Sequence, residues 1–171
     1  MDEDFQKRLC IRFASENDLE QIVDIFNQGI RTRTSTGYLN EATVGDRQVW
    51  FKEHGREKYP ILVAEHDNRI LGWISLDPYR KGRKAFERTG EISSFIHSAY
   101  WRKGVGEQLL SAMMQTAKKL GYTTLLAIVL DRNTGSRKLL EKNDFEQWGM
   151  LPDVAMIDGT SLSHVYYGKK L

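Results

Sequence analysis

Residues 90–120, GEISSFIHSAYWRKGVGEQLLSAMMQTAKKL, decide the fold. Ile92 to Ile96 read as a strand, Trp101-Arg102-Lys103-Gly104-Val105-Gly106 as a glycine-bearing turn, and the remainder as a long amphipathic helix. Val105, Leu109, Ala112, Met113, Ala117 and Leu120 recur at helical spacing on one face. Such a junction points backbone N–H groups and the positive end of the helix dipole at one spot, which suits a phosphate. The turn lacks the third glycine of the dinucleotide fingerprint, because Leu109 stands there, and the Gly-Lys-Ser/Thr of the P-loop. Taken alone it suits equally a tight turn with no ligand.

Upstream, residues 8–14 alternate apolar and polar, so the spacing predicts a half-buried strand, with Cys10 in the core. Ser15 and Asp18 resemble a capping box ahead of a helix over about 16–29. A polar loop follows over 31–42. A second helix is expected over about 44–54, capped by Thr43, with Val49, Trp50 and Phe51 turned inward. Residues 59–66 and 69–76 flank the turn pair Asp67-Asn68 and read as an antiparallel hairpin. A basic loop spans 79–89. Downstream of the opening stretch, Gly121 suits the position after a helix end. A buried strand over 122–129, a short helix over 133–142 capped by Asn133, and strands over 145–150 and 163–171 complete the chain. The order is β-α-α-β-β-β-α-β-α-β-β. The strand–helix–strand unit over 91–129 demands one parallel pair in an otherwise antiparallel sheet. The class is therefore α/β, with a mixed, mostly antiparallel sheet of about six to seven strands flanked by helices.

The 171 residues suit a single domain, 1–171, that buries a core without disulfides or metal. A net charge of +2 gives no general affinity for polyanions, so no nucleic-acid partner is expected. No apolar run approaches the roughly 18 residues that span a bilayer, and the acidic start MDEDFQKR is no signal peptide. With one cysteine and no disulfide, a cytoplasmic location is expected. The histidines at 54, 66, 97 and 164 show no metal-ligand spacing, so no metal is expected.

Trp101-x-x-Gly104-x-Gly106 resembles the acetyl-CoA-binding motif of the GCN5-related N-acetyltransferase (GNAT) superfamily, Gln/Arg-x-x-Gly-x-Gly/Ala, with its first position altered. Phe26-Asn27, Trp50-Phe51, Tyr59-Pro60-Ile61-Leu62-Val63-Ala64, Gly72-Trp73-Ile74-Ser75, Glu91-x-Ser93-x-Phe95-Ile96 and Asn133-x-x-Ser136 are similar to the phosphinothricin N-acetyltransferase-like branch. The resemblance spans nearly the whole chain, with its motifs in order. It implies the acyl-CoA N-acyltransferase (GNAT) fold and transfer of acetyl from acetyl-CoA to a small-molecule amine. The acceptor it implies is the α-amine of a small amino acid or analogue such as phosphinothricin, methionine sulfoximine or methionine sulfone. It also implies a homodimer.

The amine attacks only when neutral, so a base is needed. The resemblance gives that role to Glu91, which on the residues alone could instead pair with Arg88 or Lys84. It implies cofactor contacts at the strand backbone of Ser94, Phe95 and Ile96. It implies others at the pyrophosphate turn Arg102, Lys103, Gly104, Val105, Gly106 and Glu107, and at Asn133, Ser136 and Lys142 of the following crossover. Four cations between Arg80 and Lys84 favour an anionic acceptor, since guanidinium pairs bidentately with carboxylate or phosphinate. Acceptor contacts are expected from Arg80, Lys81 and Gly82, the alternative being a mobile, solvated loop, and from Glu91, Ile92 and Ser93 on the strand of the base. Leu140 occupies the place where this branch carries a histidine, so no side-chain acid is expected there. Other readings are a different acceptor (aminoglycoside, polyamine or protein amine) or an acyl-CoA sensor without turnover.

Overall fold

The computed structural model describes residue 5 and residues 8–171. Strands β1 (Cys10–Phe13), β2 (Ile61–His66), β3 (Arg69–Pro78), β4 (Thr89–Ile96), β5 (Thr124–Leu130), β6 (Glu146–Ile157) and β7 (Thr160–Lys170) form one sheet. Helices α1 (Leu19–Arg31), α2 (Val44–Lys52), α3 (Val105–Lys119) and α4 (Thr134–Lys142) connect them in the expected order. The sheet runs β1-β2-β3-β4-β5-β7-β6, and β4–β5 is its parallel pair.

Both faces of the central strands are covered, which is why β2 and β3 are apolar without alternation. Ile61, Val63, Ile70 and Trp73 pack beneath the α1 stripe Ile22, Ile25, Phe26 and Ile30. Leu62, Ala64, Ile74 and Leu76 pack on the other face with Val105, Leu109 and Met113 of α3. Ser15 and Thr43 work as caps: Asp18 accepts from Ser15 N at 2.7 Å, and Thr43 Oγ1 accepts from Asp46 N at 3.1 Å. Gly121 adopts φ 87°, the left-handed conformation that ends α3.

Three expectations are corrected. Cys10 is exposed rather than core, because the edge strand β1 turns Leu9, Ile11 and Phe13 toward the core cluster and its alternate residues outward. Val49 is 71% exposed, because α2 presents Trp50 and Phe51 to the core and Val49 lies off that stripe. The last two strands are longer than 145–150 and 163–171: Asp158 (φ 48°) and Gly159 (φ 75°) close a tight hairpin that keeps β6 and β7 paired out to Ile157 and Thr160.

Candidate active site

Parallel pairing between β4 and β5 covers only Thr89–Thr124, Gly90–Leu125 and Glu91–Leu126. Beyond Glu91 the strands diverge, and the β5-facing backbone of Ser93 to Ile96 is free of ladder bonds. A cleft of about 730 Å³ opens at this divergence, a size that suits a large ligand. Ser94, Phe95 and Ile96 form one wall. Arg102, Gly104, Val105, Gly106 and Glu107 form its end, and Asn133, Ser136 and Lys142 its other side. Eleven of the twelve residues expected to hold the cofactor thus line one space; Lys103 does not, and its ammonium lies 5.0 Å from the Tyr100 ring centre.

The turn explains itself locally. Gly104 caps α3 at φ 79°, where an L side chain is strained. It closes the first helical bond, Gln108 N to Gly104 O at 3.1 Å, and leaves the amides of Val105, Gly106 and Glu107 without an acceptor within the helix. A Cβ on Gly106 would stand 3.0 Å from Leu139 Cδ2, so the wall is tight there. Trp101, the altered first position, donates its indole N–H to Ile96 O at 2.8 Å and fastens the turn to the end of β4. These amide donors and the added charge of Arg102 are the chemistry a pyrophosphate requires. Asn133 spends its carboxamide oxygen on Ser136 N at 3.1 Å, so it is a helix cap on the cleft wall. Lys142 pairs with Glu107 at 2.7 Å and ties α4 to α3.

Glu91 lies on the opposite sheet face from Ile92, whose side chain joins the α3-side core. It is paired in register with Asp77 of β3. Burial pushes the Glu91 carboxyl above the usual range; Asp77 adds to this and Arg80 opposes it. Neither Arg88 nor Lys84 pairs with it: Arg88 Nε donates to Gly121 O at 2.9 Å. Arg80 (φ 58°) and Gly82 (φ 84°) shape the turn beside it, and Lys81 pairs with Glu53 at 3.1 Å. Glu91, Ser93 and this loop lie outside the large cleft and adjoin it through β4.

The structure adds neighbours that the sequence did not disclose. The His54 side chain, 6% exposed, sets Nε2 3.1 Å from Asp77 Oδ1. Its Nδ1 lies 2.7 Å from Trp50 O. Ser75 Oγ donates to Asp77 Oδ2 at 2.7 Å. Burial alone would raise Asp77, but the His54 and Ser75 hydrogen bonds outweigh it and hold its carboxyl below the usual range. Arg47 of α2 stacks on Trp50 and Phe26 beside this group. The i, i+3 spacing of Arg47 and Trp50 was the available signal, since it puts them on one face of α2, with His54 just past the helix end. Tyr100, Thr32, Thr34 and Ser35 also line the cleft, with no signal in the sequence. Leu140 is 5% exposed and belongs to the core. Tyr167, a conceivable substitute acid, is committed to Glu141 (2.6 Å) and Arg137 (3.1 Å).

A cleft at a split parallel pair, closed by a glycine turn on a helix N-terminus, suits a long ligand that carries a phosphate group. The Acetyltransferase (GNAT) domain family matches residues 8–146, and the chain belongs to that family; it is an acetyl-CoA N-acetyltransferase of GNAT type. The chain is 37% identical to the Bacillus subtilis protein YwnH over 95% of its length and 99% of that protein's. It is 32% identical to the L-methionine sulfoximine/L-methionine sulfone acetyltransferase of Pseudomonas aeruginosa, covering 84% of each. An acetyltransferase structure from Salmonella typhimurium with its cofactor acetyl-CoA superimposes with a TM-score of 0.89 at 26% identity, covering 96% of this chain and 94% of that one.

Proposed function

We propose that this protein acetylates the α-amine of a small anionic amino acid or analogue, of the methionine sulfoximine, methionine sulfone or phosphinothricin type, with Glu91 as general base. The observation that carries the reading is the half-buried Glu91 carboxyl, raised by burial and by Asp77, at the residue where β4 parts from β5. A carboxylate with a raised pKa takes a proton from an ammonium more readily near neutral pH. The Pseudomonas relative's name supports the acceptor class.

In this reading acetyl-CoA lies in the 730 Å³ cleft. The Arg102–Gly106 amides, with Lys103 and Glu107 flanking, hold the pyrophosphate. Asn133, Ser136 and Lys142 hold the nucleotide end, and the Ser94–Ile96 backbone pairs with the pantetheine arm and polarises the thioester carbonyl. Arg80, Lys81 and Gly82 border the acceptor with Ile92 and Ser93. The amine attacks the thioester directly, since no activated nucleophile adjoins the cleft among the described residues. Thiolate leaves without a side-chain acid at Leu140. The protein acts as a single cytoplasmic domain and as a homodimer. Trp148, Met150, Leu151, Val154 and Met156 support the dimer, because they leave an apolar strip exposed on β6.

The test is thiol release from acetyl-CoA across a panel of anionic amino acids, aminoglycosides and polyamines, with Glu91→Gln alongside. Turnover confined to the amino acids and lost in Glu91→Gln is expected. Acetyl-CoA binding without release for every amine would leave a sensor, and full activity of Glu91→Gln would remove the base.

A further inference from the structure

Arg47 is a cation that the reaction described so far does not use. Its guanidinium carbon lies 3.9 Å from the Trp50 ring centre and 4.5 Å from that of Phe26. Its Nε is buried and has no hydrogen-bond partner among the described residues, and it is the one buried side-chain polar atom there in that condition. Buried N–H groups are almost always paired, so an orphan beside a reaction site points to an acceptor that arrives with a ligand. Burial pulls the Arg47 pKa down against the charges of Tyr38 and Asp77 and a side-chain hydrogen bond with Tyr38, while Nε itself has no partner. Asp77 in turn stands in register with Glu91 across β3–β4. Arg47 and Glu91 thus share Asp77 as a neighbour, which places the orphaned N–H in the group of residues around the proposed base.

We infer that Arg47 is the receptor for the α-carboxylate of the acceptor amino acid, a positioning role that rests on the acceptor class proposed above. Guanidinium offers Nε–H and one Nη–H as a parallel pair that matches a carboxylate edge, and stacking on Trp50 and Phe26 fixes its plane. An α-amine and its carboxylate are separated by one carbon, so fixing the carboxylate fixes the amine. The half-buried Arg47 takes the part shared by all α-amino acids. Arg80, exposed on its loop, is left for the variable side-chain end. Asp77 meets Arg47 through its charge but makes no ion pair with it; the Asp77 oxygens take His54 and Ser75 instead.

The experiment compares L-methionine sulfone with its carboxamide in the wild type, Arg47→Gln and Arg47→Lys. In Arg47→Gln the KM for the free acid rises at least about tenfold with kcat little changed, the loss expected for one charge-assisted pair. The carboxamide's kcat/KM stays within about twofold. Arg47→Lys recovers part of the affinity, because a lysine supplies charge but not the fork. Equal loss on both acceptors would mean that Arg47 only holds α2 in place, and would overturn the assignment alone. A wild type that turns over neither compound would overturn the acceptor class, and the assignment with it. Acetyl-CoA affinity, read in parallel, reports folding of the variants. Should they fail to fold, the wild type still decides: no preference for the free acid over the amide overturns the inference.

Discussion

Gly104 and Gly106 sit two residues apart in one motif and serve different ends, which makes the pair a sharp test of the turn. Gly104 occupies φ 79°, ψ −5° as the cap of α3. An L residue in the left-handed region costs about 1–2 kcal/mol. For a chain of this size each kcal/mol lowers Tm by roughly 2–4 °C, so Gly104→Ala should lose about 2–8 °C. If the turn instead relaxes to relieve the strain, the amides after it lose their aim, and acetyl-CoA affinity falls by up to about tenfold per 1.4 kcal/mol. Gly104→Asn should recover much of the loss, because asparagine tolerates that region. Gly106 has no such strain: its φ is not positive, and its added Cβ would press on the end of the Leu139 side chain at 3.0 Å and touch Ile96 at an ordinary 3.7 Å. Gly106→Ala should therefore leave Tm within about 2 °C and weaken acetyl-CoA binding by less than about tenfold. Thermal unfolding by circular dichroism and titration calorimetry with acetyl-CoA read the two effects separately. Unchanged Tm in Gly104→Ala, or no advantage of asparagine over alanine, would refute the assignment of that glycine to backbone conformation.

The other expectations concern the base, the turn and the assembly. Glu91→Gln should cut kcat by about 10²–10⁴ with acetyl-CoA affinity unchanged, and should erase the acid limb of kcat/KM, which in the wild type rises with pH through a carboxyl pKa raised above the ordinary. The sign for stability is opposite: a carboxyl raised on folding stabilises below its unfolded pKa and loses that contribution as pH rises through the folded one, so at neutral pH the glutamine variant should melt higher, as differential scanning calorimetry would show. Trp101→Phe removes the indole bond to Ile96 O and should cost about 0.5–1.5 kcal/mol in urea unfolding, with weaker acetyl-CoA binding; an unaltered affinity would mean that the indole does not set the turn. On the proposed homodimer, Met156→Asp puts a charge on the exposed strip of β6 and should convert the dimer expected of the wild type by light scattering to a monomer.

The element order and the glycine turn ahead of α3 were legible in the residues alone. Apolar period at Val105, Leu109 and Met113 and glycine at 104 are local signals, and backbone conformation follows from neighbours in the chain. Capping at Ser15, Thr43 and Asn133 was legible for the same reason. Cys10 and Val49 were misread because a period says which residues share a face, not which face a neighbouring element covers. The divergence of β4 from β5, and with it the cleft, is a property of two strands separated by a whole helix. So is the gathering of His54 and Arg47 around Asp77, the register partner of Glu91: a carboxylate's pKa and an arginine's missing partner depend on burial and on charges that arrive from β3 and α2. Those distances are set only when the α1–α2 layer closes on the sheet, and tertiary packing alone decides them.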